Sequence, residues 1–190
     1  MFIRLKSFDF SMICPPGYSG RPILRLVATA FVLVGLAGCA GSVAPPTVVT
    51  ALPDVQRSGL HLAGVTTQAG QGVAVRAGET DRISQLVVAD IQALAPGMVD
   101  PAAARARALR IVITRFDEGS AAARFLLAGL GQIRLEGDVA IVDIGTNQAI
   151  AEYKVAKQFA FGGIYGGVTS MQDVEQGFAK SVAALFKPGP

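Results

Sequence analysis

The sequence predicts an α+β domain, a two-layer sandwich of about four mostly antiparallel strands with two packed helices. Three observations predict it. Apolar residues recur at helical spacing in two separate stretches, near residues 80–94 and 171–185. Residues 132–143 and 149–159 instead alternate apolar and polar side chains, the period of strands with one covered face. The chain has 190 residues, 51% hydrophobic and 16% charged, which suits one domain with a real core and excludes a disordered chain.

The N-terminal stretch reads as an address. Arg21 and Arg25 precede the uncharged apolar run Leu26 to Leu36, then Ala37, Gly38 and Cys39. A basic flank, an apolar run of this length and small residues after it mark a secretory signal peptide. A membrane-spanning helix needs about 20 predominantly apolar residues. Here Gly35, Gly38 and Gly41 dilute the end of the run. Leu36-Ala37-Gly38-Cys39 resembles the lipobox of bacterial lipoproteins at all four positions. The resemblance implies that Cys39 receives a diacylglycerol, that cleavage follows before it and that the new amine is acylated. Ala40, where some lipoproteins carry Asp, implies transfer to the outer membrane. Residues 1–38 are then removed, and Met12 offers a second start to a shorter signal. Cys14 is discarded on either reading, so with Cys39 lipidated the mature chain keeps no free thiol for redox or nucleophilic chemistry.

Residues 39–58 follow as a lipidated cysteine and a Pro-rich tether, with Pro45, Pro46 and Pro53 and no sustained period. A tail packed on the domain is the competing reading of the same stretch. The domain is expected over 59–187. Leu60 to Val65 alternates enough for a short first strand. A Gly-rich turn leads to a helix from about Thr80 to Leu94, with Thr80 as its cap, Asp81 suiting its positive end, and a stripe of Ile83, Leu86, Val87, Ile91 and Leu94. Pro96-Gly97 ends it, and Asp100-Pro101 starts a short further turn of helix. Leu109 to Phe116 is a β-branched central strand. Then come the two alternating strands, joined by turn chemistry at Asp143-Ile144-Gly145-Thr146-Asn147, which makes a long antiparallel hairpin. Ser170 caps a final helix, with Asp173 completing a capping box and Met171, Val174, Phe178, Val182 and Leu185 as its stripe.

Two apolar segments do not fit that economy, residues 121–131 (AAARFLLAGLG) and 159–168 (FAFGGIYGGV). They either cover an open end of the core or form contacts with another subunit or the bilayer, because glycines permit close approach and aromatics anchor interfaces. Phe125, Leu126, Leu127, Phe161, Ile164 and Tyr165 are the candidate interface residues. Charge excludes another partner. Residues 1–38 carry a net charge of +3, whereas the rest balances 13 basic against 13 acidic side chains. A nucleic-acid-binding domain needs its basic surplus on itself.

Gly119-Ser120, Ala122-Ala123-Arg124-Phe125-Leu126, Gly129-Leu130-Gly131, the strand ending at Asp143, Ala149 to Tyr153 and Gly162–Gly167 together resemble the bacterial family called domain of unknown function 4410. The likeness covers most of residues 60–186 and departs at Asn147, where a Gly is usual after the turn Thr. It implies an envelope lipoprotein and brings no catalytic residues. More distantly, the element order resembles the anticodon-binding-like fold of lipoproteins that serve as envelope accessory factors and secretion-ring components.

Signals for catalysis are absent. His61 is the only histidine and no G-x-S-x-G motif accompanies it, so a nucleophilic triad has little to build on. Asp117-Glu118 is a poor metal-ligand set, and Glu136 with Asp138 reads as a charged strand face. Gly129-x-Gly131 lacks the residues of a phosphate loop. The expected function is a non-enzymatic, membrane-anchored lipoprotein of the periplasm-facing envelope, an accessory or structural part of an assembly, with no cofactor beyond the covalent lipid on Cys39. It acts through a homo-oligomer or an envelope protein complex. The alternative is a binding module for a glycan or lipid, with a pocket lined by Phe125, Phe159 and Phe161. An enzyme using His61 ranks third.

Overall fold

The computed structural model describes residues 45–126, 131–159 and 168–187, the side chains of 124–126 aside. In chain order the elements are β1 (Thr47–Thr50), α1 (Asp54–Arg57), β2 (Leu62–Ala69), α2 (Glu79–Leu94), β3 (Arg107–Asp117), α3 (Ala121–Leu126), β4 (Ile133–Asp143), β5 (Ala149–Phe159) and α4 (Met171–Ala183). A short 3-10 turn, Ala184–Phe186, follows α4. The fold is α+β, with one five-stranded mixed sheet in the order β1-β5-β4-β3-β2.

The hairpin forms as the alternation requires. β4 and β5 pair antiparallel from Ile133↔Phe159 to Val142↔Ala149. Leu135, Val139, Ile141, Ala151, Tyr153 and Val155 point to the buried face, where α4 lies over β4 and β5 and α2, packed beside α4, lies over β2. From α2 come Ile83, Val87 and Ile91, and from α4 come Val174, Phe178 and Val182, all buried. Leu86, Met171 and Leu185 pack at the margin of this core, and Leu94, at the end of α2, is 45% exposed. Gly137 explains one close fit. A Cβ there would stand 3.1 Å from the Phe178 ring, so its absence lets the largest buried side chain lie on the sheet.

Several expectations change. The sheet has five strands rather than about four, and β2 pairs parallel to β3. A strand–helix–strand order makes this natural, since a crossover helix returns the chain to run the same way. The fifth strand comes from the segment expected to be a tether. Thr47↔Lys154 and Val48↔Tyr153 place β1 antiparallel on β5, and Leu52 and Leu60 join the core. β-branched Thr-Val-Val-Thr suits an edge strand even though four residues are too few to show a period. The sheet therefore begins at residue 47, twelve residues before the expected boundary.

Thr80 does not cap α2. Gly78 occupies the cap at φ 81°, and the Glu79 side chain accepts the Arg76 N–H at 2.9 Å. The Asp100-Pro101 stretch forms turns, with Asp100 Oδ1 accepting from Ala102 N at 2.9 Å, and not a helical turn. The capping box of α4 is present with both arms, Ser170 N donating to Asp173 Oδ2 at 2.8 Å.

Candidate functional site

Strand directions gather three connections at one end of the sheet. β2, β3 and β5 finish there, β4 begins there, and α2 and α4 start there. An open cleft of about 480 Å³ lies at this end, lined by Arg76, Glu79, Arg82, Glu118, Ser170 and Met171, with Ala77 and Gln172. Its charges are matched. Arg82 donates two bonds of 2.7 Å to Glu175 on α4, and Arg76 meets Glu118 at 2.6 Å. Glu175 is fully buried, and its hydrogen bonds, aided by neighbouring Glu79, push the Arg82 guanidinium above its ordinary range. A bidentate pair of this kind ties α2 to α4 with fixed geometry. Sequence reasoning missed it, because Glu175 sits beside the α4 stripe and its partner lies 93 residues away.

Two glycines form the neck of the connection between β3 and β4. Gly119 and Gly131 both have left-handed backbones, φ 60° and 66°. A Cβ on Gly119 would sit inside the backbone of Gly131 and Gln132, and one on Gly131 would overlap the Ser120 carbonyl. Both positions were among the residues carrying the family likeness, and close backbone approach is what they supply. Asp117 Oδ1 accepts from Gly119 N at 2.9 Å and tightens the same neck.

The sheet face away from α2 and α4 carries Arg110, Asp138, Glu152 and Lys154. Lys154 Nζ donates to Asp138 Oδ1 at 2.7 Å across β4 and β5, and this bond lifts the lysine above its usual range. A shallow cavity of about 150 Å³ beside them is lined by Val49, Ala140, Glu152 and Tyr153 among others. At the opposite end of the sheet, Asp143 Oδ1 accepts from Thr146 N at 2.9 Å, its other oxygen meets Arg107 at 3.2 Å, and its carboxyl is held below the usual range chiefly by the Thr146 bond. Arg110 reaches Asn147 at 2.5 Å.

The candidate residues are placed unevenly. Leu36, Ala37, Gly38, Cys39, Leu127, Phe161, Ile164 and Tyr165 lie outside the described residues, and so do the side chains of Phe125 and Leu126, whose backbone belongs to α3. Phe159 packs against the core. His61 is half-buried, and its Nδ1 lies 3.2 Å from the Gly97 carbonyl, a partner that orients a ring without activating it. Among the described residues no three His, Cys, Asp or Glu side chains converge to hold a metal ion. No helix among them is long and apolar enough to cross a membrane.

Comparison with known proteins adds a family. Residues 83–163 match the model described as domain of unknown function, DUF4410. The match covers 81 of the 190 residues. It runs from the middle of α2 through β5, so it holds the hairpin, the Gly119–Gly131 neck and Asn147. No curated protein matches the chain. Solved structures with a similar outline include two crystal forms of the PelC dodecamer from Paraburkholderia phytofirmans. One has TM-score 0.48, 11% identity, and coverage of 76% of this chain and 99% of that one. The other, a single-substitution variant, has TM-score 0.46, 11% identity, and coverage of 75% and 97%. A candidate lipoprotein from Caulobacter crescentus CB15 aligns at TM-score 0.40 and 17% identity, over 67% of this chain and 86% of its own. Likeness at this level leaves function to the chain's own residues.

Proposed function

We propose that this protein is a lipid-anchored, non-enzymatic component of a bacterial envelope assembly, held at the outer membrane and facing the periplasm. One observation carries the reading: Leu36-Ala37-Gly38-Cys39 follows directly on a basic flank and an uncharged apolar run. Two acyl-bearing groups on one cysteine give stable anchoring, at about 0.8 kcal/mol for each buried methylene.

The domain acts by contact. Charges in the described clefts are paired with one another, and the histidine ring meets a carbonyl, which supports a scaffold over a catalyst. Phe125, Leu126, Leu127, Phe161, Ile164 and Tyr165 are the contact residues toward another subunit. The anticodon-binding-like element order of envelope accessory lipoproteins belongs to the same proposal. Fractionation tests the anchor: the wild type sediments with membranes and Cys39→Ser does not. A Cys39→Ser protein that stays membrane-bound contradicts it. Native mass in mild detergent tests the assembly. A discrete oligomer, or a complex with a second envelope protein, is lost in Phe125→Asp with Leu127→Asp; an unchanged mass contradicts the contact residues.

A further inference from the structure

Two faces and two edges bound the sheet, and one of the four is left open. α2 and α4 lie over one face. The other carries charges of both signs set across neighbouring strands, with Lys154 bonded to Asp138 at 2.7 Å. The β1 edge is blunted: it has four residues, follows Pro45 and Pro46, and shifts register between Val48 and Thr50. β2 forms the other edge, eight residues reading LAGVTTQA, without a charge or a proline.

Hydrogen bonds decide which groups of β2 are open. Gly70 N donates to Ile113 O at 2.8 Å, so Gly70 turns its main chain toward β3. Main-chain groups alternate sides along a strand. Thr66 and Gln68 therefore also bond toward β3, while Val65, Thr67 and Ala69 turn theirs outward. At the start of the strand this outer side is closed, because Leu62 N donates to Met98 O at 2.7 Å and Asp100 N to Leu62 O at 2.9 Å. From Val65 to Ala69, β2 is the last strand of the sheet among the described residues. Side chains alternate as well. Thr67 lies under α2 and accepts from Ser84 Oγ at 2.8 Å, and Val65 and Ala69 share that side. Thr66 and Gln68 stand exposed on the other.

An antiparallel copy of the same strand fits this edge. Centred on Thr67, it pairs Thr67 with its equivalent and Val65 with Ala69 in both directions, which supplies up to about six main-chain bonds. On the α2 side a valine meets a small alanine and threonine meets threonine, a favourable cross-strand pair. On the open side Thr66 meets Gln68 twice, hydroxyl against amide. A strand paired with itself sets a charge at its centre against its like, and β2 carries none.

We propose that two copies of this protein join through β2, antiparallel about a two-fold axis at Thr67, and continue their two sheets as one. The contact uses none of Phe125, Leu126, Leu127, Phe161, Ile164 and Tyr165 and needs no lipid on Cys39, so it stands or falls apart from the function proposed above.

Charges placed across the axis test it, read by sedimentation of the mature protein in mild detergent over a dilution series. The wild type should hold an even number of protomers. Thr66→Glu with Gln68→Glu sets like charges opposite each other and should weaken the pairing by roughly tenfold or more, halving the mass on dilution. Both side chains are exposed, so the circular dichroism spectrum should not change. Thr66→Lys with Gln68→Lys should act in the same way. Thr66→Lys with Gln68→Glu instead sets opposite charges face to face and should restore the wild-type mass. A monomeric wild type, an odd number of protomers, or a mass unaltered by the like-charge variants overturns the proposal. Failure of the opposite-charge variant to restore the mass also overturns it, since a foreign strand on this edge would not change its charges to match.

Discussion

Asn147 shows what one residue contributes to a turn. It is the only non-glycine with positive φ among the described residues, at 56°. Asn tolerates this conformation because its short polar side chain bonds locally, here to Arg110. Asn147→Gly should leave stability within about 0.5 kcal/mol, whereas Asn147→Ala should cost about 1 kcal/mol from the strained backbone and the lost bond. Chemical denaturation of the two variants separates these outcomes. Arg82 and Glu175 make a sharper case. Arg82→Met leaves a fully buried carboxylate without its bidentate partner, a change that typically costs about 3–5 kcal/mol. The lower end is expected, because Arg82 is 39% exposed and water reaches it. The double variant Arg82→Met with Glu175→Met should be more stable than Arg82→Met alone. Acid dependence follows from Asp173. The backbone N–H and hydroxyl of Ser170 hold its carboxyl below the usual range, so as pH falls the unfolded chain takes up the proton first. The stability it supplies is complete above about pH 4 and fades as pH falls through the lower folded value. The deficit of Asp173→Asn in thermal unfolding should therefore be largest at neutral pH and shrink in acid.

Elements differ in how far neighbouring residues determine them. The α4 capping box was legible because Ser170 and Asp173 are three residues apart and satisfy each other. The hairpin was legible because its two arms alternate in matching phase around a turn with its own hydrogen bonds. β1 was not, since four exposed residues gain their order from pairing with β5, about a hundred positions away. The cap of α2 was misplaced by two residues because Gly78, with no side chain to offer, ends the preceding turn by its backbone alone. The candidate site divides in the same way. The Gly119–Gly131 neck stood out as a sequence likeness before its physical reason was visible, whereas the Arg82–Glu175 pair left no local trace. Removing residues 45–52 should expose the edge of β5 and uncover the packing around Leu52. A lower melting temperature and a greater tendency to aggregate are expected by calorimetry and light scattering. Melting unchanged from the full mature chain would mean that β1 adds nothing to the sheet.

Across the whole molecule, the proposed anchor and the fold adjoin in sequence, since the edge strand begins eight residues after Cys39. The helices cover one sheet face and leave the other polar, with Asp138 and Lys154 bridged across its strands. This is the build of a body that presents surfaces. Everything in that account depends on the modified cysteine. The most direct measurement is the intact mass and N-terminal peptide of the mature chain extracted from membranes. The account predicts a chain beginning at Cys39 that carries a thioether-linked diacylglycerol and an amide-linked acyl group. A chain that begins elsewhere, or a Cys39 with a free thiol, would contradict it.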